Sequence, residues 1–147
     1  MALKARITDD MKDAMRAKDA RRLSTIRMLL AAIKQREVDE RRELADNDVV
    51  AVIDKMIKQR RDSITQFEAG HRADLAAAEK AEVELLTAYM PQRLGDEEID
   101  ALIAEAIART GAAGAAGMGK VMAELKPRLA GRADLSAVSA KVKARLA

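Results

Sequence analysis

The chain has 147 residues, with 27 Lys and Arg against 24 Asp and Glu, one His, one Tyr, one Phe and neither Cys nor Trp. Of its apolar residues 31 are alanine, leaving 14 Leu, 9 Ile, 8 Val and 8 Met to build a core; that set suits packed helices and is too thin in β-branched and aromatic side chains for a sheet. The absence of Cys excludes a disulfide framework, a thiolate nucleophile and a cysteine metal site, and a single His leaves little for imidazole catalysis or zinc. No apolar run approaches the roughly 20 residues of a membrane span, and Met1-Ala2-Leu3-Lys4 opens without a signal-peptide core. These features predict a soluble, cytoplasmic, all-α protein with no catalytic constellation, no metal, no cofactor and no membrane partner.

A helical period runs through nearly every segment. Leu3, Ile7, Met11, Ala14 and Met15 define a first helix that ends near Lys18 and Asp19. Asp19 is placed to cap a second, which carries Leu23, Ile26, Leu30, Ile33 and Leu44 on one face and is expected to last until about Glu43. Asp46 or Asn47 should cap a third, with Val49, Val52, Ile53, Met56, Ile57, Ile64 and Phe67 as its stripe and Gly70 where a C′ glycine belongs. A fourth presents Leu75, Ala78, Leu85, Leu86 and Tyr89. Met90-Pro91 breaks the pattern, because the residue before proline is pushed out of the α region. After a short linker, 91–94, a fifth helix opens on Asp96, Glu97 and Glu98, buries Ile99, Leu102, Ile103 and Ile107, and stops at Gly111. A helix from about Met118 carries Val121, Met122, Leu125 and Leu129, with a bend expected at Pro127 and an end at Gly131. Asp134 is placed to cap the last helix, which bears Leu135, Val138, Val142 and Leu146. The expected architecture is two helical subdomains: an N-terminal antiparallel region, residues 1–90, and a smaller three-helix domain, residues 95–147.

Charge is segregated along the chain. Residues 16–42 hold nine basic and four acidic side chains, 120–145 seven and two, and 79–105 two and eight, which predicts an oriented molecule. Arg27, Lys34 and Arg41, spaced by seven, should line one edge of the second helix. They fit either an ordinary flank beside the core stripe or a ridge that tracks RNA phosphates. Aromatic stacking platforms are absent, so a nucleic-acid contact would be to backbone and shape.

Gly114–Lys120 satisfies G-x-x-x-x-G-K, yet Val121 follows where a P-loop needs Ser or Thr, and a helix rather than a strand precedes it. A helix–helix connection is expected there, with Lys120 and the neighbouring amides able to meet a phosphate. His71 lies at a helix junction without a partner base or nucleophile. The acid pairs Asp9-Asp10 and Glu97-Glu98 are expected in opening turns, where the helix dipole accounts for them.

One charge falls in an apolar stripe. Arg60 projects between Met56-Ile57 and Ile64-Phe67, Glu82 falls in the stripe of the fourth helix, and each is eleven residues from His71. Folding about Gly70-His71 brings them level. A charge facing a core is tolerated mainly when paired, so a partly buried Arg60–Glu82 ion pair fixing the hairpin register is expected, with Glu37 as the alternative partner.

Arg22-Leu23-Ser24-Thr25-Ile26-Arg27-Met28-Leu29, Lys58-Gln59-Arg60-Arg61-Asp62-Ser63-Ile64-Thr65-Gln66-Phe67, Tyr89-Met90-Pro91, Met118-Gly119-Lys120-Val121-Met122 and Gly131-Arg132-Ala133-Asp134 resemble, in order and spacing, the YqeY family of bacterial GatB/YqeY-domain proteins. The resemblance implies an all-helical fold. Its smaller C-terminal domain is similar to the tail of the B subunit of the glutamine-dependent Asp-tRNA/Glu-tRNA amidotransferase, a tail that contacts the tRNA body. It also carries the family label of a carbon–nitrogen ligase with glutamine as amido donor. Against independent activity of that kind, the chain shows no convincing ATP site, glutaminase nucleophile constellation or metal ligands. Two features depart from the family pattern: Gly95 stands where a capping serine is usual, and the loop 111–117 is unusually rich in Ala and Gly.

Three functions stay open. The first is a non-catalytic module that binds tRNA, or a tRNA-charging or amidation assembly, through Lys120, Lys126, Arg128, Arg132, Lys141 and Lys143, with Arg27, Lys34 and Arg41 as a secondary ridge. The second is a component of a glutamine-dependent ligase that acts only with other subunits. The third is a protein–protein adaptor that docks through its helical hairpins.

Overall fold

The computed structural model describes residues 2–147 and, among them, seven α-helices and no strand. They are α1 (Leu3–Arg16), α2 (Ala20–Glu40), α3 (Asp46–Ala69), α4 (Ala73–Thr87), α5 (Asp96–Thr110), α6 (Met118–Leu129) and α7 (Leu135–Leu146), with a 3-10 turn, Ala115–Gly117, leading into α6. The chain divides into two units, Met1–Met90 and Pro91–Ala147, each with its own apolar core.

In the first unit α1 packs on α2, and α3 folds back on α4. Ile7, Ile26, Leu29, Ile33, Ile53, Ile57 and Leu86 form the buried centre, each contributing about 1.5–3 kcal/mol by leaving water. The inner face of α2 keeps Ile26 and Ile33 of the expected stripe, but Leu29 is fully buried in place of Leu30, which is only partly so, and Met15 of α1 is exposed. α2 also stops earlier than expected. Arg41 turns left-handed at φ 54° and lets the Arg42 N–H reach back to the Glu37 carbonyl, so Leu44 enters the core from the loop.

The helix ends differ from expectation for specific reasons. Asp46 does not cap α3; its Oδ1 accepts the Leu3 N–H at 3.0 Å and so serves α1. α3 is instead closed by Asp48, whose Oδ2 accepts the Ala45 N–H at 3.0 Å while Arg42 grips both carboxylate oxygens. At the other end Gly70 has an ordinary φ of −86°, and His71 takes the left-handed position at φ 58°. The Arg72 N–H bonds to Phe67 O at 2.8 Å and the His71 N–H to Glu68 O at 3.2 Å, the paired bonds of a Schellman end. Asp9 and Asp10 lie inside α1 rather than in its opening turn.

In the second unit α5, α6 and α7 enclose Ile103, Ala106, Val121, Leu125, Leu129 and Val142. The stretch expected as a linker is fastened to this unit: the Leu94 N–H donates to Arg132 O at 2.9 Å, Arg132 Nε donates to Gln92 O at 3.2 Å, and Leu94 packs on the core. α5 starts after Gly95 with no side-chain cap and ends on left-handed Gly111. α6 runs through Pro127 to Leu129, and Asp134 caps α7 by accepting the Ser136 N–H at 3.0 Å.

Candidate functional site

The candidate cations of the second unit divide into two kinds. Lys120 sits in the first turn of α6, Lys126 and Arg128 in its last turn, and Lys141 and Lys143 on α7. Lys141 Nζ lies 3.1 Å from Asp100 and 3.7 Å from Asp96, on the acidic opening of α5; the hydrogen bond to Asp100 lifts its pKa above the ordinary lysine value. Arg128 reaches Glu105 at 3.5 Å, a carboxylate that Arg109 also holds. Arg132 spends its Nε on the Gln92 carbonyl.

Lys120, Lys126 and Lys143 are different: they are exposed and make no ion pair among the described residues. Lys120 and Lys126 share the outward face of α6 with Ala123 and Pro127. Of the six residues, three are unpaired among the described residues and three are partly engaged in holding the unit together. Arg145, which the basic stretch 120–145 includes but periodicity does not single out, is also exposed without an ion-pair partner.

On the first unit, Arg27 and Lys34 stand on the outward face of α2. Arg41 does not continue their line, because the left-handed turn takes it off the helix. It instead shares with Lys34 a shallow hollow of about 400 Å³, whose other charged residues are Lys4, Glu37, Arg42 and Glu43. Glu37 is committed here: it accepts from Lys4 Nζ and from the Leu44 N–H, each at 2.9 Å. The backbone N–H of Leu44 and then Lys4 hold its carboxyl below the usual glutamate range.

Arg60, 7% exposed, lies against Glu82 instead, with Nε donating to Glu82 Oε2 at 2.8 Å. Its Nη1 donates to Met56 O at 3.4 Å, and Nη2 lies 3.8 Å from the Met28 sulfur. A second polar tie has no counterpart in the sequence pattern. The Tyr89 hydroxyl donates to Asp10 Oδ2 at 2.5 Å, Arg22 lies 4.0 Å from the same carboxylate, and the Arg6 guanidinium sits 5.2 Å from the tyrosine ring centre. Burial, then the bond to Asp10, push the phenol well above its ordinary pKa. No periodic signal joins Tyr89 to a residue 79 positions away.

His71 is exposed on its turn. Among the described residues no group of three or more His, Cys, Asp or Glu is placed to hold a metal ion, and no helix is long and apolar enough to cross a membrane. Gly114–Lys120 contains the 3-10 turn and the start of α6, with α5 before it and no strand.

A family model described as Yqey-like protein matches residues 4–146. The chain belongs to the YqeY family. It is similar to curated proteins named Altered inheritance of mitochondria protein 41, mitochondrial. The Lachancea thermotolerans protein is 38% identical over 102 residues, covering 67% of this chain and 54% of that protein. The Saccharomyces cerevisiae protein is 39% identical over 92 residues, covering 62% and 50%, and the Eremothecium gossypii protein 41% identical over 87 residues, covering 58% and 48%. This YqeY chain thus spans about half the length of the curated relatives it matches. These relatives correct two expectations. They are yeast proteins named as mitochondrial, which stands against the bacterial and cytoplasmic reading.

Proposed function

We propose that this YqeY protein is a non-catalytic accessory module whose C-terminal unit binds the phosphate backbone of tRNA. The observation that supports it is the exposure of Lys120, Lys126 and Lys143 without carboxylate partners, beside cations that the same unit has already neutralised. Unpaired lysines neutralise phosphates and release counterions, a gain that a salt-bridged lysine forfeits in part. Two polar side chains of the first unit are spent on architecture, Arg60 on Glu82 and Tyr89 on Asp10.

The test is a tRNA titration at two salt concentrations. Replacing Lys120, Lys126 and Lys143 together by Gln lowers affinity and reduces the log–log salt slope by about 2–3, close to one for each phosphate no longer neutralised. Unchanged affinity and slope in that variant reject the site. The ligase reading is tested by supplying glutamine, ATP and misacylated tRNA to the protein alone: no turnover is expected, and turnover abolished by a single substitution refutes the non-catalytic reading.

A further inference from the structure

Met28 and Val38 on α2 are 48% and 60% exposed, two of the three large apolar side chains left this open among the described residues. They belong to one surface. Ala20, Arg27, Ala31 and Val38 form a line along the helix, flanked by Ser24, Gln35 and Lys34, with Met28 at its edge. Near the start of the helix, Ala20, Leu23, Ser24, Arg27, Met28 and Ala31 surround a shallow depression of about 480 Å³.

The charges on this surface that lack an ion-pair partner are mostly cations, although the exposed carboxylates of Asp39 and Glu43 stand close to them. Arg27, Lys34 and, just past the helix end, Arg41 are exposed and have no ion-pair partner among the described residues. Two acids of α2 are ion-paired, Glu37 with Lys4 and Glu40 with Arg36 and Arg42, while Asp39 keeps its charge beside the Gln35 amide on the flank away from Lys34. α2 therefore shows solvent a face whose central line holds the small and apolar Ala20, Ala31 and Val38 with Arg27 among them, and whose one edge is cationic at Lys34 and, past the helix end, Arg41.

We propose that this face is a docking surface for an acidic amphipathic helix of a partner protein. The partner's apolar stripe covers Ala31, Val38 and Met28, and its carboxylates meet Arg27, Lys34 and Arg41. Ala20, Ser24 and Ala31 are small enough to let two helices approach closely, and the 21 residues of α2 run for about 31 Å, enough for several turns of a partner. A second copy docking through the same face would set cations against cations. RNA would satisfy the cations but leave Met28 and Val38 without an apolar partner. This surface lies on the first unit, so the proposal stands or falls separately from the tRNA reading of the second.

The test uses the full chain carrying ¹³C-methyl methionine, with the Met28 resonance assigned through Met28→Leu. The probe is a synthetic helical peptide of about 18 residues, roughly five turns, with leucines at three- and four-residue spacing and glutamates on both flanks; the control carries lysines in place of the glutamates. The acidic peptide is expected to shift the Met28 methyl saturably, and the lysine peptide to leave it unmoved. Arg27→Glu with Lys34→Glu, and separately Val38→Glu, should each weaken the acidic peptide by about tenfold or more at unchanged helicity. No shift with the acidic peptide, equal shifts with both peptides, or indifference to those substitutions overturns the proposal. A Met28 shift produced by tRNA and lost in Arg27→Glu/Lys34→Glu, with none from the acidic peptide, also overturns it and makes the face a nucleic-acid surface.

Discussion

Arg60 and Glu82 meet across the α3–α4 hairpin at 2.8 Å, with the arginine almost wholly buried and the glutamate side chain 25% exposed. The pair fixes register more than it adds stability, because desolvation of the two charges offsets most of their attraction. Glu82→Gln leaves the guanidinium buried beside a weaker acceptor. It should cost about 3 kcal/mol, the low end for a broken buried pair, since water can still reach this side of the hairpin. Arg60→Leu with Glu82→Leu should return to within about 1 kcal/mol of the parent. Urea unfolding of the three proteins decides; a single substitution as mild as the double one rejects the register role.

The α3–α4 turn makes its own prediction. His71 holds a left-handed conformation that costs a residue with a Cβ about 1–2 kcal/mol, while Gly70 beside it does not use the freedom it has. His71→Gly should therefore stabilise the protein by up to about 1 kcal/mol. Gly70→Ala should add about 0.4–1 kcal/mol, because an added Cβ finds nothing closer than the Gln66 carbonyl at 3.4 Å. Thermal unfolding checks both, and a loss of stability in either variant contradicts the assigned conformation.

How far the sequence reached can be judged at these same residues. The helices were legible because an apolar stripe repeats every three or four residues whatever the tertiary context. Arg60–Glu82 was legible because two charges interrupted two such stripes at equal distances from one turn. The ends of helices were not, because several residues compete for the same cap: Asp46 is recruited by the Leu3 N–H, leaving Asp48 to close α3, and His71 displaces Gly70 by one position. Counting lysines also does not reveal which are paired, since the partner of Lys141 lies 41 residues away, on α5. Tyr89–Asp10 depends wholly on how α1 meets the end of α4.

That tyrosine gives the pH prediction. The folded protein holds the Tyr89 proton more tightly than the unfolded chain, because burial and the bond to Asp10 raise the phenol above its ordinary value of about 10. The stabilisation is complete below pH ~10 and is lost as pH rises from there toward the raised folded value. Tyr89→Phe should cost about 1 kcal/mol at neutral pH through the lost hydrogen bond and should flatten the decline above pH ~10. Lys4, also raised by its bonds to Glu37 and Glu43, adds a decline of the same sign. The difference between parent and Tyr89→Phe, not either curve alone, is the quantity to measure. Parallel curves for the two proteins would show that Tyr89 titrates as it does in the unfolded chain.

Lys141 tests the proposed division between structural cations and cations that meet tRNA. Its ammonium joins α7 to the opening of α5 through Asp100, so Lys141→Gln should lower the stability of the second unit and leave the salt slope of tRNA binding within experimental scatter. Lys126→Gln should do the reverse, reducing the slope by about one with stability unchanged. If Lys141→Gln reduces the slope as much as Lys126→Gln, the paired and unpaired lysines are functionally alike, and the division of the patch into two kinds is wrong.

The glycines of Gly114–Lys120 carry the last prediction, because a phosphate cradle and a tight connection need them for different reasons. Gly114 adopts φ 67° with ψ −179°, a region essentially closed to other residues, and Gly114→Ala should cost about 1–3 kcal/mol. A Cβ on Gly117 would lie 2.6 Å from the Cβ of Ala112, so Gly117→Ala must push the loop away from α6 and should cost about 1–3 kcal/mol. Gly119 has neither reason: it is helical, nothing lies within 4 Å of an added Cβ, and Gly119→Ala should be neutral or stabilising by about 0.5 kcal/mol. Two of the three glycines are thus accounted for by the geometry of the connection between α5 and α6, with no ligand required. Urea unfolding of the three single variants tests this ordering directly. A destabilising Gly119→Ala, or a neutral Gly117→Ala, would mean that the loop does not pack as described.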